Sequence, residues 1–317
     1  MRRLLVVVAL LMAALIALPP FYFRFFPVAP PHLPPQGLRV AVREGLAVNA
    51  IVEGDGPPIV LVHGLPGCAY DWTPLTDALA ARGFRVIAYD RIGYGYSDPR
   101  SDGDFSIAAN ARDLLGLLQS QELENATVVG WSYGGPVAIE AAGRDSSRIG
   151  RLVLIAGAGP HEASKQRPPA LFGVIFSGPV LAWLRAVPPV GRALQAAMSK
   201  DAFSDGDEPA WWLPQLAANM AAPHTLRTFA EEGARTADGD ASIDPVTVAR
   251  PILILHGDAD RLVPLEVGQW TQLHARNAEL VVIPKGSHML PITHADALAD
   301  RIAAFARGAA QPGTAQP

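Results

Sequence analysis

Continuous Val- and Ile-rich runs recur along this chain at Ile59–Val62, Val86–Tyr89, Ala126–Val129, Leu152–Ile155, Ile252–Leu255 and Leu280–Ile283. They leave few architectures open. Each has Gly, Pro or Asp close to an end, and none alternates polar with apolar residues. A strand that is apolar on both sides must be covered on both faces, as in a parallel sheet. Helical patterns at Asp71–Arg82, Ile107–Gln121, Pro136–Gly143, Leu265–Arg276 and Ala295–Ala306 fall between most of the runs. Strand, helix, strand in repetition predicts an α/β fold with a doubly wound, mostly parallel sheet. Leu38–Arg43 and Leu46–Glu53 read as a hairpin at its edge.

The alternation fails between Gly157 and about Ile243. This stretch carries Phe172, Phe176, Trp183, Phe203, Trp211, Trp212 and Phe229 at helical spacing. It is too long for an ordinary crossover, so it reads as a helical cap inserted between two strands. The whole chain of 317 residues suits one large domain or a domain with a subdomain. Half of it is apolar and 18% charged, enough to bury a sizeable core and too apolar for general disorder. Lys and Arg number 26 against 30 Asp and Glu, with the signs interspersed, so no basic patch argues for nucleic acid. The single cysteine, Cys68, excludes an intramolecular disulfide and a Cys-based zinc site.

The first segment stands apart from this pattern. Met1-Arg2-Arg3 precedes an uncharged run, Leu4–Phe23, roughly 30 Å long as a helix and matched to a bilayer core. Phe21, Tyr22, Phe23, Phe25 and Phe26 follow as an interfacial aromatic belt around Arg24. Two readings compete, a cleaved signal peptide and an uncleaved anchor. No A-x-A-like site lies between Leu4 and Gly37, which favours the anchor. The basic residues ahead of the run place the N-terminus inside and the body outside the membrane, in the periplasm of a bacterium. The expected organisation is therefore an anchor at 1–26 and a Pro-rich linker at 27–37. An α/β body at 38–307, with the cap at about 157–243, and a frayed tail at 308–317 complete it.

Gly130-Trp131-Ser132-Tyr133-Gly134-Gly135 follows one strand pattern and opens the next helix. At such a junction G-x-S-x-G becomes specific: a sharp turn projects the Ser132 hydroxyl from the sheet at the positive end of a helix. The glycines two before and two after Ser132 keep side chains from colliding. His63-Gly64-Leu65-Pro66-Gly67 follows the strand Ile59–Val62, and the Leu65 N–H there, with that of Tyr133, can form an oxyanion hole. His63 itself reads as a buried imidazole that braces the loop.

Ser132 needs a base and a group to orient it. His288, in Gly286-Ser287-His288, follows the last strand at the carboxyl edge, where sites of α/β sheets form. His294 lies at the start of the last helix beside Asp296 and reads as decorating it. His161, His224, His256 and His274 lack a comparable placement. The acid is expected in the loop after Ile252–Leu255, where Asp258 and Asp260 compete: one orients His288 and the other braces the turn. Trp131, Phe172, Phe176, Trp183, Trp211 and Trp212 are candidates for lining an apolar acyl pocket.

The pieces HGLPG at 63–67, DRIGYGYSD at 90–98, GWSYGG at 130–135, HGDADRLVP at 256–264 and GSHM at 286–289, in this order, resemble the α/β-hydrolase fold family over about residues 38–307. The resemblance implies that the acid is Asp260 and that Asp90 and Ser97 are structural. It leaves the substrate subfamily open; the aromatic side chains of the cap point to small apolar esters, and a serine hydrolase working through this triad needs no metal or organic cofactor. Dehalogenases and epoxide hydrolases of this fold carry Asp at the nucleophile position, and Ser132 departs from them. Lactonases, C–C bond hydrolases and perhydrolases remain compatible alternatives. A non-catalytic binding member of the fold is disfavoured, because all three triad positions are filled.

Overall fold

The computed structural model describes residues 2–26, 37–145, 147–157, 187–204, 206–237 and 245–308. An eight-stranded sheet in the order β1-β2-β4-β3-β5-β6-β7-β8 forms its centre. Its strands are β1 (Leu38–Arg43), β2 (Leu46–Glu53), β3 (Pro58–Val62), β4 (Arg85–Tyr89), β5 (Ala126–Trp131), β6 (Ile149–Ile155), β7 (Ile252–Gly257) and β8 (Ala278–Ile283). The β1–β2 hairpin and its pairing to β4 are antiparallel. All other pairings are parallel. Every residue of β5 and β7 is buried, whereas β8, at the edge, is only half covered.

Successive side chains of a strand point to opposite faces, so each central strand feeds two cores. Val60, Val128, Leu152 and Ile254 pack on one face with α3 (Ile107–Ser120) and α4 (Gly134–Arg144). Ile59, Leu61, Val129, Val153 and Leu253 pack on the other with α2 (Thr73–Ala80) and the last helix, Ala295–Ala306. Local signals fix where helices begin. Ser106 Oγ accepts the Ala109 N–H at 3.1 Å and caps α3, and Pro74 occupies the first turn of α2, where its missing N–H costs nothing.

Between β6 and β7 the described residues include α5 (Pro188–Ala202), α6 (Trp212–Met220) and α7 (Pro223–Ala237). Phe203, Trp212, Leu216, Met220 and Phe229 join the same core as Trp72, Tyr94 and Trp131. Polar contacts fasten these helices over the loops that leave β3 and β4. Asn219 Nδ2 donates to the Gly67 carbonyl at 2.9 Å and its Oδ1 accepts the Gly95 N–H at 3.0 Å. Gln215 Nε2 donates to Asp71 Oδ1 at 3.2 Å. The body is completed by α8 (Leu265–His274), α9 (Leu290–Thr293) and α10 (Ala295–Ala306).

The run expected as a membrane anchor forms α1 (Arg2–Phe25), several of whose side chains lie outside the described residues. Among the described residues no helix is long and apolar enough to cross a membrane, so the transmembrane segment read from Leu4–Phe23 is not supported by the structure. The linker from residue 27 to 36 and the tail from residue 309 onward lie outside the described residues, as does most of the first half of the expected cap.

Candidate active site

Ser132 sits where β5 ends and α4 begins, with φ +52, a left-handed backbone that a serine adopts only when its surroundings impose it. Those surroundings are visible. The Ser132 N–H donates to the Ile155 carbonyl of β6 at 2.9 Å, and the Ser132 carbonyl accepts the Gly135 N–H at 2.9 Å. A Cβ at Gly134 would collide with the Val62 carbonyl of β3, and one at Gly130 with the Gly134 carbonyl. Only glycine lets the elbow nest this closely against the neighbouring strand.

The loop after β3 lies against the elbow. A Cβ on Gly64 would stand 2.9 Å from Ser132 Cβ and 3.4 Å from its Oγ. The Gly64–Leu65 peptide thus lies within reach of the nucleophile. His63 is buried beside it with both ring nitrogens used: Nδ1 donates to the Gly64 carbonyl at 2.9 Å and Nε2 accepts the Arg91 N–H at 3.0 Å. Burial and the Arg91 charge hold its pKa well below the ordinary value, so the ring is neutral. A ring so occupied braces the loop and has no proton to exchange with a substrate.

The loops after β7 and β8 bring Asp260 and His288 together. Asp260 Oδ2 lies 2.8 Å from His288 Nδ1, and the Asp260 side chain is 0% exposed. Its other oxygen accepts the Leu262 and Val263 amides, both at 2.8 Å. Burial alone would raise this carboxyl, but the His288 ring and the Val263 amide hold it below the usual carboxylate value. Asp258 is turned elsewhere and accepts the Lys285 N–H at 2.6 Å, bracing a turn in which Lys285 has φ +58. Of the two aspartates left open by the spacing, Asp260 is the one hydrogen-bonded to the His288 ring.

Trp131 joins the elbow to the histidine loop. Its Nε1–H donates to the His288 carbonyl at 3.0 Å, and its ring lies 5.9 Å from the imidazole and 5.7 Å, edge on, from Trp72. Trp131, the residue before Ser132, is thus tied to the loop that carries His288. Among the described hydrogen bonds none joins the Ser132 hydroxyl to the ring; such bonds are often long before substrate arrives.

Asp90 and Ser97 brace the loop after β4. Asp90 accepts the Ala69 and Tyr96 amides at 2.7 and 2.9 Å, and Ser97 Oγ donates to the Asp90 carbonyl at 2.6 Å. Of the expected pocket residues, Trp131 is buried at the site, and Trp212 is buried edge on to Phe203 at 5.0 Å, among the side chains that join the inserted helices to the body. Trp211 is 39% exposed on the surface of that insertion. Phe172, Phe176 and Trp183, like His161, lie outside the described residues. His294 Nδ1 lies 2.8 Å from its neighbour's hydroxyl oxygen, Thr293 Oγ1, and His294 starts α10.

Arg91 and Glu232 are polar residues at the site that sequence reasoning passed over. They form a buried ion pair with Nη1 2.7 Å from Oε1, and both are almost wholly shielded. Arg91 offered a faint signal, a charge that with Asp90 separates the strand ending at Tyr89 from the apolar Ile92. Glu232 offered none, because Glu231-Glu232 in a helix reads as a solvated surface.

The strand-to-helix turn at Ser132, the Asp260–His288 pair on the loops after β7 and β8 and the glycine loop against Ser132 match the arrangement of a hydrolase of the α/β fold. The profile of the alpha/beta hydrolase fold family matches residues 57–295, and the chain belongs to that family. It is 31% identical to a putative non-heme chloroperoxidase of Synechocystis sp., over 77% of this chain and 88% of that protein. It is 29% identical to a 2-hydroxymuconate semialdehyde hydrolase of Pseudomonas sp., over 87% of this chain and 96% of that one. The crystal structure of a bromoperoxidase from Bacillus anthracis superposes with a TM-score of 0.71 at 25% identity, covering 86% of this chain and all of that one.

Proposed function

We propose that this enzyme is a serine hydrolase that cleaves carboxylic esters of small apolar substrates. The observation that carries the reading is the buried Asp260–His288 hydrogen bond, 2.8 Å long, taken together with a serine held at φ +52 at a strand-to-helix turn. In this scheme Ser132 Oγ attacks the acyl carbonyl. His288 Nε2 takes the hydroxyl proton and returns it to the leaving alcohol. Asp260 holds the imidazole in the tautomer with its proton on Nδ1 and stabilises the imidazolium that forms. The Leu65 and Tyr133 amides receive the oxyanion. Water, deprotonated by His288, then releases the acid from the acyl-enzyme. No step calls for a metal or an organic cofactor.

The test is turnover of p-nitrophenyl esters from acetate to decanoate by wild type and Ser132→Ala. The reading expects turnover that depends on Ser132. An apolar pocket adds about 0.8 kcal/mol per buried methylene, so kcat/KM is expected to rise several-fold per methylene until the pocket is full. A flat series overturns the apolar pocket; turnover that survives in Ser132→Ala overturns the hydrolase scheme.

A second reading, hydrolysis of a C–C bond in a diketone by the same residues, is favoured by the similarity to the 2-hydroxymuconate semialdehyde hydrolase across 87% of this chain. Activity on diketones with no trapped acyl-enzyme would select it.

We also propose that α1 holds the body at a membrane, with the body on the outer side. Support comes from Leu10, Leu11, Leu18 and Phe21, each more than 60% exposed, and from Arg2 and Arg3 ahead of the run. Full-length protein is expected in the membrane fraction after carbonate washing, and a chain starting at Gly37 in the soluble fraction. Full-length protein released by carbonate would contradict the anchor.

A further inference from the structure

Arg91 touches the Gly64–Leu65 peptide unit, whose N–H is one oxyanion amide of the scheme above, and the ring of Tyr133, which carries the other. Its Nη2 donates to the Gly64 carbonyl at 3.1 Å and its Nε to the His63 carbonyl at 3.2 Å. Its guanidinium lies over the Tyr133 ring, 4.6 Å from the centroid, and over the Tyr94 ring on another side, at 4.7 Å. The Gly64 carbonyl belongs to the same peptide unit as the Leu65 N–H. In a trans peptide those two groups point in opposite directions, so fixing one aims the other. A cationic donor on the carbonyl also polarises the amide and makes its N–H a stronger donor.

The charge that does this is balanced from the insertion. Glu232, on α7, takes the Arg91 Nη1–H at 2.7 Å, the Tyr94 hydroxyl at 2.8 Å and the Asn110 amide at 2.8 Å. Burial would lower the arginine pKa, but Glu232 overrides it and the guanidinium stays charged. The carboxylate comes from a helix more than 130 residues further along the chain than the arginine it holds.

We propose that Arg91 is a positioning residue for the oxyanion donors, and that Glu232 makes their alignment depend on the docking of α7. The inference rests on the serine-hydrolase reading and adds a role for two residues to it. Arg91 touches no reacting atom. It acts through the Gly64–Leu65 peptide and the Tyr133 ring, and its effect falls on the transition state, where the oxyanion exists. The inserted helices then do more than cover the site: α7 completes it.

Removing one charge alone would leave the other buried and unpaired, which destabilises any fold. The informative variant is therefore the double replacement Arg91→Met with Glu232→Leu, since apolar pairs of similar volume often replace buried ion pairs without loss of stability. The assay is p-nitrophenyl acetate hydrolysis with kcat and KM resolved, alongside a melting curve, after wild type has been shown to depend on Ser132. The expected result is a folded protein with kcat reduced at least about tenfold and KM within about twofold of wild type, since loss of a whole oxyanion donor costs 10²- to 10³-fold. A folded double variant with kcat within twofold of wild type, or a loss carried by KM alone, overturns the proposal. If the double variant does not fold, Arg91→Lys decides. It keeps a charge for Glu232 but not the planar fork that reaches two carbonyls, so the same fall in kcat is expected and an unchanged kcat overturns the role. Absence of Ser132-dependent turnover in wild type would instead overturn the hydrolase reading itself, and this inference with it.

Discussion

His288 Nδ1 and Asp260 Oδ2 lie 2.8 Å apart, and the carboxylate side chain is wholly buried. An ionised carboxylate can only accept, so the proton of the neutral ring sits on Nδ1 and Nε2 is left with its lone pair free, as the proposed base requires. The tautomer is thus set by one contact between the loop after β7 and the loop after β8.

Replacing that carboxylate by an amide removes the constraint while keeping the shape. Asp260→Asn is expected to lower kcat by on the order of 10⁴-fold, because the amide admits the wrong tautomer. Asp258→Asn, which keeps an oxygen to accept the Lys285 amide but loses the charge that strengthens that bond, is expected to keep kcat within a few-fold and to melt slightly earlier. Steady-state rates and melting curves of the pair check this. The reverse pattern would move the acid to Asp258.

Gly64→Ala would put a methyl group 2.9 Å from Ser132 Cβ and 3.2 Å from the Trp131 carbonyl, closer than real Cβ atoms settle in the first case. Both partners belong to the strained elbow and have little room to move. A fall in kcat of at least about tenfold is expected, on the scale of a lost oxyanion donor, with the fold retained. Circular dichroism and p-nitrophenyl acetate turnover give the two readouts. An alanine variant with wild-type kcat would show that the loop after β3 does not constrain the nucleophile.

Asp71 couples the fold to pH. It is buried beneath the loop after β3, where it accepts the Cys68 N–H at 2.8 Å and the Gln215 amide, and burial raises its pKa from 3.8 to about 7. Between about pH 4 and 7 the folded chain therefore holds a proton that the unfolded chain has lost. Stability contributed by this group is complete below that window, falls as pH rises through it, and is gone above about 7. Asp71→Asn removes the titration, so the melting temperature of wild type relative to the variant is expected to drop from pH 4.5 to 7.5. Parallel curves over that range would contradict the raised pKa.

The parts of this molecule that follow from local rules were readable in the chain. The hairpin Leu38–Arg43 and Leu46–Glu53 and the helix Ala295–Ala306 have the bounds their patterns predict. The buried strands run one to three residues longer than their apolar cores, since residues such as Gly130, His256 and Gly257 continue the ladder with no apolar signal. Ser132 was legible because a sharp strand-to-helix turn demands a fixed glycine spacing. Asp260 over Asp258 was not decided by spacing: both lie in one short loop, and only the path of the chain toward Lys285 or His288 separates them. Glu232 and Arg91 meet across more than 130 residues, and no periodicity encodes such a pairing. Among the described aromatic residues of the insertion, the sequence did not separate buried positions from exposed ones. Trp211 and Trp212 are neighbours, yet helix phase leaves the first 39% exposed and turns the second onto Phe203.

The central claim is that Ser132 is a nucleophile activated by His288 and Asp260, and covalent labelling tests it most directly. The body from Gly37 onward is incubated with a fluorophosphonate, and the modified residue is located by peptide mass mapping. The account predicts a single adduct on Ser132, absent in Ser132→Ala and formed far more slowly in His288→Ala. No adduct on the folded wild-type protein, or an adduct on another residue with Ser132 unmodified, would contradict it.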